Sequence, residues 1–377
     1  MSWRFGSETP RAKAILVACL ALIVLGAVGL LTGVSGADRV RTFGALIASW
    51  LFFAGLSVGA LTYAAIMSLA GARWAEPIAD IARGFSRFIP VAAGLLLIIL
   101  LGMSSWAPWY HHTPGQQAFW LDTPLFATRE ILGSFALFGF AMLFLRPGGK
   151  LPGWVSVTWC LLYAAVVSMW AFDFILGPDL HWMSTLIGPH LFAGAFVSGS
   201  ALSTIVAIQR RRLDRRARHD AGALVTTLSV FWGYLFWSQF LTIWYGNLPD
   251  EVEFFLRRNL NGWQIETLAV VFCVFLFPLL LLLMGRAKES PTILSLAAGL
   301  QLAGLWMEKH LLVVPSLSPH GASPFDWHGE LIALGILAAF VLASWDTFRP
   351  QGVGERADSA EEESEPLRLP ARAAREM

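Results

Sequence analysis

The chain has 377 residues, 56% of them hydrophobic and only 14% charged, with a formal net charge of +1. A soluble domain ordinarily carries about 25% charged residues, so an ordinary soluble fold is excluded. The near-neutral balance gives no reason to expect nucleic acid as a partner.

The N-terminal segment, residues 1–12, carries Arg4 and Arg11, and Lys13 follows. The apolar run behind them is too long for the core of a cleavable signal peptide, so it reads as a first transmembrane helix. Further apolar runs follow, giving spans near 13–34, 43–70, 88–108, 126–145, 154–176, 185–209, 222–245, 262–285, 291–314 and 329–348. Each is close to the ~20 residues that cross a bilayer as a helix. The expectation is an all-α integral membrane protein with about ten transmembrane helices across residues 13–348.

Loop charge sets the orientation. Arg73, Arg83 and Arg87, then Arg146 and Lys150, then the arginines from Arg210 to Arg218, then Arg286 and Lys288 fall in alternate loops. The other loops hold only Arg39, Arg41, Arg257 and Arg258. Basic residues stay on the cytoplasmic side, which predicts both termini inside. Residues 349–377, with Glu361-Glu362-Glu363 and scattered Arg, Ala and Pro, cannot build a core. They read as a disordered cytoplasmic tail, or alternatively as a docking tail.

The second span contains Phe53-Ala54-Gly55-Leu56-Ser57-Val58-Gly59, and the sixth contains Phe192-Ala193-Gly194-Ala195-Phe196-Val197-Ser198. Small residues four apart let helices approach closely in lipid. The match suggests two parallel four-helix bundles, spans two to five and six to nine, with a flanking helix at each end.

Ionisable side chains inside a membrane are costly, so each is a functional candidate. Asp173, His190, Glu130, Glu266 and Glu308 all fall near outer helix ends and are the proton-transfer candidates. Lys309, His310 and Glu330 join them there. Asp173 has no cation in its own turn, and His190 is its expected neighbour. Glu308 and Lys309 are adjacent on one helix, so their side chains are expected to diverge toward different partners.

No metal is expected. His111-His112 lacks the i, i+4 spacing of a helical metal pair. Only His190 and His310 lie near the membrane, and both sit at its edge, which disfavours bis-histidine haem. Cys19, Cys160 and Cys273 are isolated in apolar runs with no CxxC. An intrinsic iron–sulfur cluster, a structural zinc site and a c-type haem attachment are therefore not expected, and the cysteines read as packing residues.

The most distinctive stretch runs Trp232-Gly233-Tyr234-Leu235-Phe236-Trp237-Ser238-Gln239-Phe240-Leu241-Thr242-Ile243-Trp244-Tyr245-Gly246-Asn247-Leu248-Pro249-Asp250-Glu251. With Trp106-Ala107-Pro108-Trp109-Tyr110-His111-His112, Trp120-Leu121-Asp122-Thr123-Pro124 and Glu308-Lys309-His310-Leu311-Leu312-Val313-Val314-Pro315-Ser316, it resembles an NrfD-like family of membrane subunits. The likeness is greatest to the second quinone-binding-type membrane subunit of bacterial alternative complex III. It covers nearly all of spans two to nine and excludes the tail.

The resemblance implies ten helices in two four-helix bundles, in the bacterial cytoplasmic membrane. It implies extracytoplasmic iron–sulfur and multihaem cytochrome c partners, a sister NrfD-like membrane subunit, and quinone or quinol as the only cofactor. On that reading Trp244, Tyr245 and His310 mark the quinone vicinity or a partner interface.

Three functions stand. The first is quinol oxidation, proton transfer or both near the outer face of a respiratory complex. The second is secondary transport, which also uses internal repeats and membrane carboxylates but usually at the midplane, near broken helices. Only Pro278 lies well within a span here. The third is a structural scaffold subunit.

Overall fold

The computed structural model describes residues 10–110, 115–145, 152–318 and 322–349. The expectations for residues 1–9, His111, His112, Arg146, Lys150, His320 and the tail from 350 onward lie outside the described residues. Every regular element among the described residues is helical.

Eight of these helices are long and apolar enough to cross a membrane: α1 (Pro10–Ser35), α2 (Arg39–Leu69), α3 (Arg73–Leu101), α4 (Thr123–Phe144), α5 (Gly153–Leu176), α6 (Ile187–Gln209), α7 (Arg215–Gly246) and, after a short helix α8 (Pro249–Asn259), α9 (Trp263–Leu282). Two more helices follow, α10 (Pro291–Val313) and the apolar α11 (Trp327–Ala343). The chain is a multi-pass, all-helical membrane protein.

Two boundaries differ from the sequence reading. α3 starts at Arg73 rather than near 88, because Glu76–Gly84 is itself an amphipathic helix that buries Ile78, Ala79, Ile81 and Ala82. It stops at Leu101, and Gly102 precedes a separate turn, Met103–Trp106. α7 begins at Arg215, seven residues before the apolar run, because the side chain of Asp214 accepts from Ala217 N–H and caps it.

α2 is the central helix, with residues Thr42 to Ala65 all buried. It packs on α3 and α5 within one group of helices and on α6 and α10 of the other. α6, α7, α9 and α10 pack together as the second group. The α2–α6 crossing depends on glycine. A Cβ on Gly59 would lie 2.0 Å from the Ala195 carbonyl oxygen, and one on Gly199 would lie 2.1 Å from Ala60 N. Backbone therefore meets backbone, as small residues permit in lipid.

The two helices also end alike. Ala70, Gly71 and Ala72 N–H donate to Ile66, Ser68 and Met67 C=O; Arg210, Arg211 and Arg212 donate to Val206, Ile208 and Ala207 in the same pattern. Gly71 (φ 62°) and Arg211 (φ 52°) both take the left-handed conformation that closes a helix C-terminus. This cap pairs Gly59 with Gly199, one residue later than the Phe53–Phe192 alignment, which had paired Gly59 with Ser198.

The helices at the two ends of the described chain meet. α1 and α11 pack directly on each other, with a Cβ on Gly26 only 2.8 Å from Gly335 Cα. Basic side chains gather at one end of the bundle. Arg87 reaches Asp346 at 3.5 Å and Arg215 reaches Glu289 at 2.6 Å, while Arg210 donates to the Asp346 carbonyl. The opposite end is rich in aromatic loops.

Candidate functional site

At the aromatic end, α5 departs from α-helical geometry. Residues Phe172–Leu176 form a π-helical turn that carries Asp173. Such turns shift side-chain directions locally and recur at functional sites. Asp173 is fully buried, yet it is not alone. Arg129 of α4 donates from Nε to Oδ2 at 2.9 Å and from Nη2 to Oδ1 at 2.8 Å. Trp120 Nε1 donates to Oδ1 at 2.8 Å, and the Arg129 guanidinium lies 4.0 Å over the Trp120 ring.

Glu130 completes the cluster. It is fully buried and has Ser134 Oγ at 3.5 Å from Oε2, while its Oε1 has no hydrogen-bond partner among the described residues; Trp170 Nε1 donates to Ser134 Oγ at 2.8 Å. The cluster thus holds one cation, Arg129, and two buried carboxyls, Asp173 and Glu130.

A cleft of about 660 Å³ opens beside this cluster. Trp120, Phe172, Trp182, Thr185, Thr242 and Glu251 are among its lining residues, as is Ser184. Few polar groups in a mainly apolar wall is the usual make-up of a small-molecule site.

Of the lining residues, Trp182 is held by stacking. Trp182 lies 3.5 Å from Phe254 of α8, and the Arg258 guanidinium lies 3.3 Å from the Phe254 ring. Arg258 also donates to Leu311 C=O at 2.9 Å, Leu312 C=O at 2.6 Å and Ser316 Oγ at 2.8 Å. These carbonyls end α10, so a cation there suits the helix dipole. Burial pulls the Arg258 guanidinium down to about 9, against the opposing charge of Asp179, and leaves it cationic at neutral pH.

The second group of helices holds its own buried cluster. Glu308 of α10 accepts from His190 Nε2 at 2.5 Å and from Trp232 Nε1 at 2.7 Å, and it pairs with Lys309. The side chains of His190, Glu308 and Lys309 are at most 3% exposed. Two expectations are corrected here. His190 faces Glu308, not Asp173, because its helix packs on α10. Glu308 and Lys309 converge instead of diverging, because no other carboxylate among the described residues pairs with the buried ammonium and a long lysine side chain can fold back.

Glu266 of α9 meets His310 of α10, with 2.9 Å between Oε1 and Nδ1. Trp263 and Trp306 stack on the imidazole at 5.5 and 6.5 Å between ring centres. Trp244 and Tyr245 are 66% and 85% exposed and do not line the cleft; their neighbours Thr242 and Ile243 do. The candidates thus fall into three clusters rather than one relay.

The sequence reading did not single out Trp120, Arg129 or Trp232 as site residues. Arg129 was detectable, since a cation within a span must find an anion. No set of three or more His, Cys, Asp or Glu side chains able to hold a metal occurs among the described residues. Neither protein-family models nor curated proteins give a match to this chain.

Proposed function

We propose that the chain is a membrane subunit of a quinol:electron-acceptor oxidoreductase of the alternative complex III type, in a bacterial cytoplasmic membrane. In this reading it crosses the bilayer ten times, with α10 and α11 joining the other eight spans, and the arginine end faces the cytoplasm. One observation carries the reading. A wall residue of the 660 Å³ cleft, Trp120, donates directly to the buried Asp173, which is held by Arg129, the neighbour in α4 of the buried Glu130.

A quinol ring in the cleft would lie against Trp120 and Phe172, with its tail leaving into lipid. Oxidation releases two electrons and two protons. The electrons go to an iron–sulfur or haem c centre on an extracytoplasmic partner, the acceptor class implied by the resemblance. The protons leave one at a time through the Asp173–Glu130 pair, which accepts one as it passes one on. A positioned acid–base group of this kind contributes typically 10²–10⁴-fold to a rate. Trp244, Tyr245 and Leu248 present an exposed apolar surface at the same end, suited to the partner contact.

The test uses the assembled complex. Asp173→Asn should lower quinol-dependent turnover by about 10²-fold while the subunits still co-purify. Ser184→Trp, which fills the cleft, should raise KM for quinol. Unchanged turnover in the first variant ends the proton role, and an unchanged KM in the second ends the cleft as the quinol site.

A further inference from the structure

A second cleft, of about 600 Å³, lies at the arginine end. It opens between the α2–α3 connection, with Arg73 and Trp74, and the start of α7, with Arg212, Asp214, Arg216 and Asp220. We propose that this cleft binds the phosphate of an anionic phospholipid headgroup.

Charge is the first reason. Most arginines at this end have a protein partner: Arg83 has Asp80, Arg87 has Asp346, Arg215 has Glu289, and Arg218 donates to the Glu289 carbonyl. Arg73 and Arg216 have no hydrogen bond or ion pair among the described residues, and both face the same cleft. Two carboxylates also line the wall, so the three arginines there exceed them by one. Asp214 accepts from Ala217 N–H at 2.7 Å, and Asp220 faces His219 at 3.4 Å.

Helix polarity is the second. The Asp214 carboxylate caps α7, but Arg215, Arg216 and Arg218 crowd its first turn and outnumber that one anion. Cations at a helix N-terminus oppose the macrodipole, and an anion seated there relieves both the dipole and the guanidinium repulsion. Arginine also matches phosphate geometry through paired N–H donors.

Depth is the third, and it selects lipid over a soluble anion. The cleft begins where α2 and α6 end in their matching caps, so it lies at the level where membrane-crossing helices leave the hydrocarbon. Trp74 is half-buried in its wall, and tryptophan favours that headgroup layer. Basic pockets between cytoplasmic helix ends are a recognised mode of anionic lipid capture.

The full-length chain, purified in a neutral detergent, is melted with phosphatidylglycerol, phosphatidylcholine or inorganic phosphate. Phosphatidylglycerol should raise Tm by several degrees more than the other two additions. Arg73→Gln with Arg216→Gln should remove most of that difference, while Arg286→Gln should keep it. Native mass spectrometry should show retained phosphatidylglycerol on the wild type and less on the double variant. An equal response to the two lipids, or an equal response of wild type and double variant, overturns the site. A matching gain from inorganic phosphate overturns the lipid assignment. So does a lipid preference that emerges only after residues 350–377 are deleted, which would make the Glu361–Glu363 run the native occupant.

Discussion

Arg129 and Asp173 are 44 residues apart in the chain and meet as a two-pronged ion pair, guanidinium Nε and Nη2 against the two carboxylate oxygens. Glu266 and His310 are also 44 residues apart and make the corresponding α9–α10 contact in the other helix group. The separation repeats but the charges do not. The first pair has its cation on the earlier helix, and the second has its carboxylate there. The two pairs thus carry different electrostatics, although each has a tryptophan partner in a cleft wall, Trp120 for the first and Trp306 for the second.

Breaking the Arg129–Asp173 pair from the cation side strands two carboxyls in the core. Removing one partner of a buried pair costs about 3–5 kcal/mol. Arg129→Gln should therefore melt well below the wild type in detergent. Adding Asp173→Asn should recover part of the loss, because the stranded charge is gone. Additive losses in this double-mutant cycle would show that the pair is not coupled.

The Glu308 cluster should behave in the same way but without affecting quinol turnover. Glu308→Gln leaves Lys309 and His190 without their shared acceptor. Thermal stability should fall by an amount on the order of 3–5 kcal/mol, and Lys309→Met added to it should restore some of that. Quinol KM in the surviving complex should stay at the wild-type value.

Gly59→Ala should disturb the α2–α6 crossing, since the added carbon meets the Ala195 carbonyl at 2.0 Å. Overpacking of this kind costs typically about 1–3 kcal/mol. Gly94→Ala, where no heavy atom lies within 4 Å of the new carbon, is the control and should be neutral or slightly stabilising. Equal melting temperatures for the two variants would contradict the backbone contact.

Orientation is testable with single cysteines. A membrane-impermeant thiol reagent applied to intact cells should label His181→Cys, at the aromatic end, and not Arg215→Cys, at the arginine end. Both positions are exposed. Reversed labelling would invert the assignment of the two faces.

The sequence by itself determined that the chain lies in a membrane and nearly where each helix runs. Lipid offers no hydrogen bonds, so every apolar run of sufficient length must satisfy its backbone internally as a helix. Gly55 and Gly59 could be read as a close-approach surface for the same reason. Tertiary structure decided what each polar side chain does. Asp173 looked isolated because its own turn holds no cation, yet its partner Arg129 comes from the neighbouring helix across a loop. His190 was matched to Asp173 from closeness along the chain, but the packing of α6 on α10 gives it to Glu308. Local spacing sent Glu308 and Lys309 apart, and burial brought them together, because an unpaired charge in the core costs more than folding a lysine back on its neighbour. Depth in the membrane can be counted along a sequence; rotation about the helix axis and the choice of neighbour come only from packing.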